Sequence, residues 1–283
     1  DIVTNLGQVN NEGFEFSLNT VNIRNKNFTW SSTFGLSHNK NTIKHLYYRY
    51  EDVLNEVGEV VGSKEVGDVN RGWFVGKDIS AIWDHEFIGI WQEDEAEEAA
   101  KYGQQPGDAK VRDVNGDYKI TQEDKVFLGQ ETPKFRWSFR NEFTLFRNWD
   151  ISLNLYSQMG HKQSTTEYLN FFDNLGDYSN TYKREYWTPE NKSNSYARLK
   201  STRPSNINPK KVINKGFIRL ENISVSYRVP QQFARKLMAK EISIYGTVRN
   251  VAVWAFDKEW DYWDPETKGL LPRTFTFGAS ITF

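Results

Sequence analysis

The chain has 283 residues, no Cys, 15% aromatic side chains, and 36 basic against 37 acidic residues for a formal net charge of -1. Lack of Cys removes disulfide scaffolds and thiolate metal sites, and the near-zero charge lacks the basic face of a nucleic-acid protein. No run approaches the ~18 consecutive apolar residues of a membrane-spanning helix, a test that is blind to barrels because their strands are only half apolar.

The chain opens on Asp1-Ile2-Val3 without an initiator Met or a signal peptide, and so reads as a segment of something longer. Phe14, Phe16 and Leu18 then alternate with Glu15, Ser17 and Asn19. A strand sends successive side chains to opposite faces, so this stretch has one apolar and one polar wall. Phe28, Trp30, Phe34 and Leu36 repeat the pattern against Thr29, Ser31, Thr33 and Ser37. So do Phe135, Trp137, Phe139, Phe143 and Leu145 against Arg136, Ser138, Arg140, Glu142 and Thr144. Trp149, Ile151, Leu153 and Leu155 oppose Asp150, Ser152, Asn154 and Tyr156, and Ile223, Val225, Tyr227 and Val229 oppose Ser224, Ser226 and Arg228. Ile242, Ile244 and Val248 oppose Ser243, Tyr245, Thr247 and Arg249. The last strand, Thr274–Phe283, alternates almost without a break and stops on an aromatic residue. Each stretch is near the ~9–11 residues that cross a bilayer when tilted.

The links alternate in length. Those around Asn22–Asn27 and Phe146–Asn148 are short, and Pro230–Glu241 is intermediate. Asn41–Pro133, Gly160–Gly216 and Val251–Arg273 are far beyond the ~12–15 residues usual for loops of compact domains. Short turns on one side and long loops on the other predict antiparallel transmembrane β-barrel strands with long extracellular loops. The expected division is a barrel hairpin over 1–40, a long extracellular excursion over 41–135, and C-terminal strands and loops over 136–283. Within the excursion, Ala81–Trp91 and Ala109–Arg112 look strand-like and Glu93–Lys101 helix-like. If short turns are periplasmic, Phe283 lies at the periplasmic edge of an outer membrane. Seven strands are fewer than the ~8 of the smallest bacterial barrels, so the missing ones are expected upstream of Asp1. A soluble β-sandwich that binds ligand alone is the rival, and it predicts no preference for which loops are long.

One segment has the stepping of a calcium loop. Asp113, Asn115, Asp117, the Lys119 carbonyl, Thr121 (directly or through water) and Asp124 fall at positions 1, 3, 5, 7, 9 and 12, which wrap a hard cation in oxygen ligands. Tyr118 stands where such loops carry Gly, and Asp124 where they carry Glu. The other reading is a polar Asn-Gly turn held by its own side chains. The role expected of a bound Ca2+ is structural. His85-Glu86 lacks the second His of a zinc-protease helix, and no Gly-rich phosphate loop or nucleophile elbow appears, so no enzyme is expected.

Trp254, Trp260, Tyr262 and Trp263 interleave with Asp257, Glu259, Asp261 and Asp264. Aromatics beside acids suit sugar stacking, peptide contact or partner docking, and equally a self-packed rim loop or an aromatic girdle. Phe171 and Phe172, with Tyr178, Tyr182 and Tyr186, raise the same two options. Arg136, Arg140, Glu142 and Arg249 are expected to line a wet lumen, because a charge on a lipid face would cost ~2–4 kcal/mol at the midplane.

Several phrases occur together in one order: Asn11-Glu-Gly-Phe-Glu15, Gly89-Ile-Trp-Gln92, Pro106-Gly-Asp108 leading into Asp113–Asp124, and Tyr186-Trp-Thr-Pro-Glu-Asn191. Phe217-Ile-Arg-Leu-Glu-Asn222, Tyr227-Arg-Val-Pro230, Arg249-Asn250 and the terminal Phe follow. Over nearly its whole length the chain resembles the C-terminal portion of the SusC/RagA family of TonB-dependent outer-membrane transporters. The resemblance implies a barrel of about 22 strands with a plugged lumen. It also implies a SusD-like surface lipoprotein as a hinged lid, an oligosaccharide or oligopeptide as substrate, and TonB pulling on an N-terminal plug, with no organic cofactor. A passive porin-like channel is the rival among membrane proteins.

Overall fold

The computed structural model describes residues 7–47, 49–165, 185–260 and 263–283. In chain order the strands are β1 (Gln8–Arg24), β2 (Phe28–His45), β3 (Tyr50–Leu54), β4 (Val60–Glu65), β5 (Ala81–His85) and β6 (Phe87–Ile90). A short helix α1 (Ala96–Lys101) precedes β7 (Ala109–Val111), β8 (Lys125–Gln130), β9 (Phe135–Leu145), β10 (Trp149–Met159) and β11 (Lys162–Thr165). Then come β12 (Lys211–Asn214), β13 (Phe217–Arg228), a one-turn helix α2 (Gln231–Ala234), β14 (Glu241–Ala255) and β15 (Thr274–Thr282).

The chain forms two compact units. One, from residues 9–42, 132–161 and 214–283, holds a seven-stranded sheet in the order β1-β2-β9-β10-β13-β14-β15. These are the seven stretches whose alternation marks them in the sequence. The registers are antiparallel: Phe139 faces Phe34 on one side and Leu155 on the other, while Arg140 faces Thr33 and Asn154. Apolar residues therefore gather in one wall and polar ones in the other. The apolar wall is left open, with Phe277 81% and Phe283 73% exposed and Phe14, Trp149 and Ile244 also exposed. A soluble sandwich would bury such a wall in its core.

Four strands outrun the expected ~9–11 residues: β1 has 17, β2 has 18, β14 has 15 and β13 has 12. The apolar belt sets only the length that must cross hydrocarbon, whereas ladder pairing continues into polar segments such as Asn39–His45. The short links close tightly. Asn25 Oδ1 accepts from the backbone N–H groups of Asn27 and Phe28 at 3.0 and 2.8 Å. In the three-residue link between Leu145 and Trp149, Phe146 and Arg147 both take positive φ (50° and 65°), and Asn148 N–H donates to the Leu145 carbonyl at 3.1 Å. In the intermediate link, Ala234, Ala239 and Ile242 form a small buried cluster with Val229 against it.

The other unit draws its described residues from 7–8, 43–131 and 162–213. It is made of two-stranded pieces, β3-β4, β5-β8, β6-β7 and β11-β12. The 81–91 stretch is two strands broken at Glu86, and the helix-like run is a 3-10 turn at Glu93–Glu95 leading into α1. The hairpin β3-β4 has no clear alternation in the sequence. Its turn is built by Asn55, whose Oδ1 accepts from Val57 and Glu59 N–H, and by Gly58 at φ 84°.

The apolar wall has one polar seam. Thr20, Asn22, Ser32 and Asn141 occupy apolar-wall positions on β1, β2 and β9. Thr20 Oγ1 donates to Asn22 Oδ1 (3.0 Å), Asn22 Nδ2 to Ser32 Oγ (2.7 Å), and Ser32 Oγ to Asn141 Oδ1 (2.8 Å). Trp30 Nε1 donates to the same Asn141 oxygen at 2.9 Å. Each of these bonds is made between side chains of the wall itself, so the seam ties three strands at one register. Replacing the shared acceptor by Asn141→Leu is expected to cost about 1–3 kcal/mol by stranding two donors. The readout is the temperature at which the folded species of the full-length protein is lost on an SDS gel; unchanged melting would show that the seam carries no load.

Candidate functional site

The polar wall is lined by paired charges. Arg140 meets Glu142 at 2.6 Å within β9, Arg228 meets Asp150 at 2.9 Å, and Arg249 meets Glu221 at 3.1 Å. Of the four residues expected in the lumen, three therefore sit in ion pairs, and all four stand on this wall. Arg136, the fourth, is exposed and makes no ion pair among the described residues.

One charge of that wall is fully buried. Arg219 on β13 is 0% exposed, and its guanidinium donates to Asp264 Oδ2 (2.5 Å) and to Asn250 Oδ1 (2.7 Å), with Glu266 at 3.5 Å. Its cation also lies 5.2 Å from the Phe217 ring centroid, a contact that suits a desolvated guanidinium. Glu266 is held in turn by Tyr156 Oη (2.5 Å) and Gln158 Nε2 (3.1 Å) on β10. Asn250, at φ 52°, donates to the Leu271 carbonyl. The last long excursion is thus folded down onto the polar wall by a charged knot. Asp264 also organises its own turn, accepting from Glu266 and Thr267 N–H.

This geometry divides the aromatic-and-acid loop. Trp254 belongs to β14 and pairs with Ile218 on the apolar wall, where it is 52% exposed. Trp260 donates its indole N–H to the Asn214 carbonyl at 2.7 Å, and Asp257 accepts from Asn214 N–H. Trp263 is half-buried beside buried Asp264. The described members therefore do not converge on one surface. Tyr262 and Asp261, and Phe171 and Phe172 with Tyr178 and Tyr182, lie outside the described residues.

The calcium-like loop is strongly self-bonded. Asp113 Oδ1 accepts from Gly116 N–H (2.7 Å) and Oδ2 from Tyr118 N–H (2.9 Å). Burial works to raise the Asp113 carboxyl, but these backbone bonds outweigh it and hold it below the usual carboxylate range. Asn115 accepts from Asp117 N–H, and Asp117 from Lys119 N–H. Asp124 is 0% exposed, with its two oxygens taken by Val114 and Thr121 N–H. Tyr118 adopts φ 61°, the conformation for which Gly is usual, and Ile120 is buried. A cation here competes with backbone N–H groups for the same oxygens, and among the described residues no three His, Asp or Glu side chains gather into a metal-ligating group.

Sequence reasoning missed the hub of the loop unit. Asp108, 0% exposed, accepts from Arg198 Nε (2.9 Å), Thr202 N–H (2.7 Å) and Gln105 N–H. Gln104 accepts from Trp91 Nε1 and donates to the carbonyls of Ala109 and Thr202. Trp187 packs with Ile90, Ala109 and Ala197 and donates to Gln92. The phrases around Gly89, Pro106 and Tyr186 thus meet in space. Their recurrence is a signal in the sequence; that they are partners about 90 residues apart is not. Arg219 and Glu266 were missed for the same reason.

No family model matches the chain. It is 29% identical over 300 residues to TonB-dependent receptor P26 of Formosa agariphila and 25% identical over 315 residues to TonB-dependent receptor P3 of that organism, each match covering 99% of this chain. The chain spans 30% and 29% of the length of those relatives. Among solved structures, the RagAB peptide transporter matches 98% of the chain with a TM-score of 0.67 at 16% identity, over 29% of its own chain. The RagAB importer in its closed-closed state gives 0.65 over 98% of this chain and 30% of its own, also at 16% identity. The chain is homologous to TonB-dependent receptors and shares the fold of the matching RagAB region, as the resemblance of its phrases implied.

Two measurements test this site. Arg219→Met leaves Asp264 buried without its cation and is expected to cost about 3–5 kcal/mol of local stability, seen as new protease cleavage within 256–272 while the strands stay resistant; an uncut loop would contradict the anchor. Asp124→Ala is expected to lower the melting temperature in chelator, because the carboxylate closes the turn by itself. A loss that arises only with Ca2+ present would assign the loop to the metal instead.

Proposed function

We propose that this homologue of TonB-dependent receptors supplies C-terminal barrel strands and extracellular loops to an outer-membrane importer of nutrient oligomers. The carrying observation is the open apolar wall of seven antiparallel strands joined by alternately short and long links. Such a wall is stable against hydrocarbon because every interior strand satisfies its backbone in its neighbours. In this reading the short links are periplasmic, the three long excursions are extracellular, and Phe283 ends at the periplasmic edge.

The polar wall then faces a wet lumen. The work proposed for it is gated translocation of an oligosaccharide or oligopeptide. The names of the relatives support coupling to TonB, and the RagAB transporter supports a peptide cargo and a two-component assembly. A SusD-like surface lipoprotein is the proposed lid over the long loops. A structural Ca2+ at Asp113–Asp124 is the second reading of that loop, supported by the spacing of its oxygens against the self-bonded turn, and the chelator comparison decides between the two.

In cells, deleting the full-length gene is expected to abolish growth on the cargo oligomer. The same loss is expected in the intact strain when the proton gradient is collapsed. Uptake that survives the collapse would favour a passive channel, and a full-length protein that stays in solution without detergent would revive the binding-module reading.

A further inference from the structure

The link between β13 and β14 is basic and apolar at once. From Pro230 to Lys240 it carries Arg235, Lys236 and Lys240 and no acid. It folds as α2, then a 3-10 turn at Arg235–Leu237, and ends with Met238 at φ 56°. Its two small residues, Ala234 and Ala239, are buried with Ile242, and Val229 packs beside them. Its large apolar residues are left outside: Phe233 is 51%, Leu237 65% and Met238 87% exposed.

Register fixes the side on which this link lies. Ile242 faces Ile281, and Tyr227 faces Ile244, so Ile242 and Val229 both belong to the apolar wall. Val229 N–H donates to the Ile242 carbonyl (2.9 Å) and Lys240 N–H to the Thr282 carbonyl (2.7 Å), which holds both ends of the link to the ladder. Ile242 is 9% exposed, whereas Ile244, the next apolar-wall position of β14, is 54% exposed. The link therefore folds outward over the rim of the apolar wall, and whatever fills the lumen lies on the other face. β10 and β15 flank the β13-β14 pair, so the link sits within the sheet and not at an open edge.

In water this surface is costly. Three large apolar side chains stand free side by side, and Met238 takes the left-handed conformation for which Gly is usual at a helix end. Arg235 and Lys236 have no ion pair among the described residues, and Lys236 lies 5.7 Å over the Phe233 ring. Lys240 donates to the Phe283 carbonyl at 2.8 Å. At a membrane interface the same parts fit, because apolar residues enter the acyl boundary while long basic side chains reach back to headgroup phosphates. Continuity with the apolar wall selects a lipid surface over a protein partner, and the lack of any acid selects anionic headgroups. We propose that this link docks on the membrane itself, with Phe233, Leu237 and Met238 entering the leaflet and Arg235 and Lys236 taking the phosphate of an anionic phospholipid. The inference rests on the membrane reading of the seven-stranded sheet, in which this leaflet is the periplasmic one.

The full-length protein in lipid nanodiscs tests it. A nitroxide at Met238→Cys is compared with one at Ile244→Cys for collision with oxygen, which partitions into hydrocarbon, and with a water-soluble nickel chelate. Both labels are expected to favour oxygen. A label at 238 that favours nickel beside one at 244 that favours oxygen overturns the docking and leaves the membrane reading standing. Nickel at both positions overturns the membrane reading as well. A label at 238 shielded from both reagents assigns the surface to a protein partner and overturns the docking. Headgroup choice is read by native mass spectrometry of the detergent-solubilised protein, with phosphatidylglycerol and phosphatidylcholine of the same chains. Wild type is expected to hold phosphatidylglycerol about 5- to 25-fold more tightly, the scale of one or two bases beside an anionic surface. Arg235→Gln with Lys236→Gln is expected to bring that ratio to about one, with the gel heat-shift checking the fold; should the pair misfold, Lys236→Gln alone is expected to lower it. A ratio that survives the change overturns the role of these bases, as does equal retention of the two lipids by wild type.

Discussion

An apolar wall that the described residues leave open is the constraint from which the rest of this protein follows. Water at that wall would be costly at ~25 cal/mol per Å2 of apolar surface, and hydrocarbon is its natural neighbour. Hydrocarbon in turn offers backbone groups no partner, which is why the strands pair in an unbroken antiparallel series from β1 to β15. Even the polar residues on that wall obey the rule. Asn22, Ser32 and Asn141 bond one another, so the seam adds hydrogen bonds without asking the surroundings for any.

The opposite wall and the excursions run on a different economy. Charges are tolerated there because they are solvated or paired, and pairing is used to hold shape. Arg219 is the clearest case: a fully buried cation is affordable only with Asp264, Asn250 and Glu266 around it, and the same bonds draw the last excursion onto the strands. Asp108 and Gln104 do the equivalent inside the loop unit, Asp108 accepting from Thr202 N–H and Gln104 donating to the Thr202 carbonyl, so that the first two excursions are tied together. Long loops that would otherwise lose ~1–2 kcal/mol of conformational entropy per ordered residue are thereby given many buried contacts to offset it.

These loops also show why composition misleads here. Aromatics beside acids at 254–264 suggest one recognition surface, yet their contacts send them different ways. Trp254 joins the apolar wall, Trp260 closes onto the Asn214 carbonyl, and Asp264 is buried under Arg219. Neighbours in sequence on either side of a strand end need not share a surface, because the strand's period of two and the loop's own bonding sort them separately.

Alternation alone determined the seven strands and their two walls, because a period of two is a local property visible in any strand that divides two environments. The recurrent phrases likewise determined which larger architecture the chain resembles. Tertiary structure decided which charges pair among the described residues: Arg140 and Arg249 find partners, and Arg219 reaches an acid 45 residues away in sequence. It also decided that the oxygens of 113–124 bond their own backbone and that β3-β4 forms without a clear pattern. Those outcomes depend on strand register and on which distant segments meet. Neither is written in the order of residues along any one stretch.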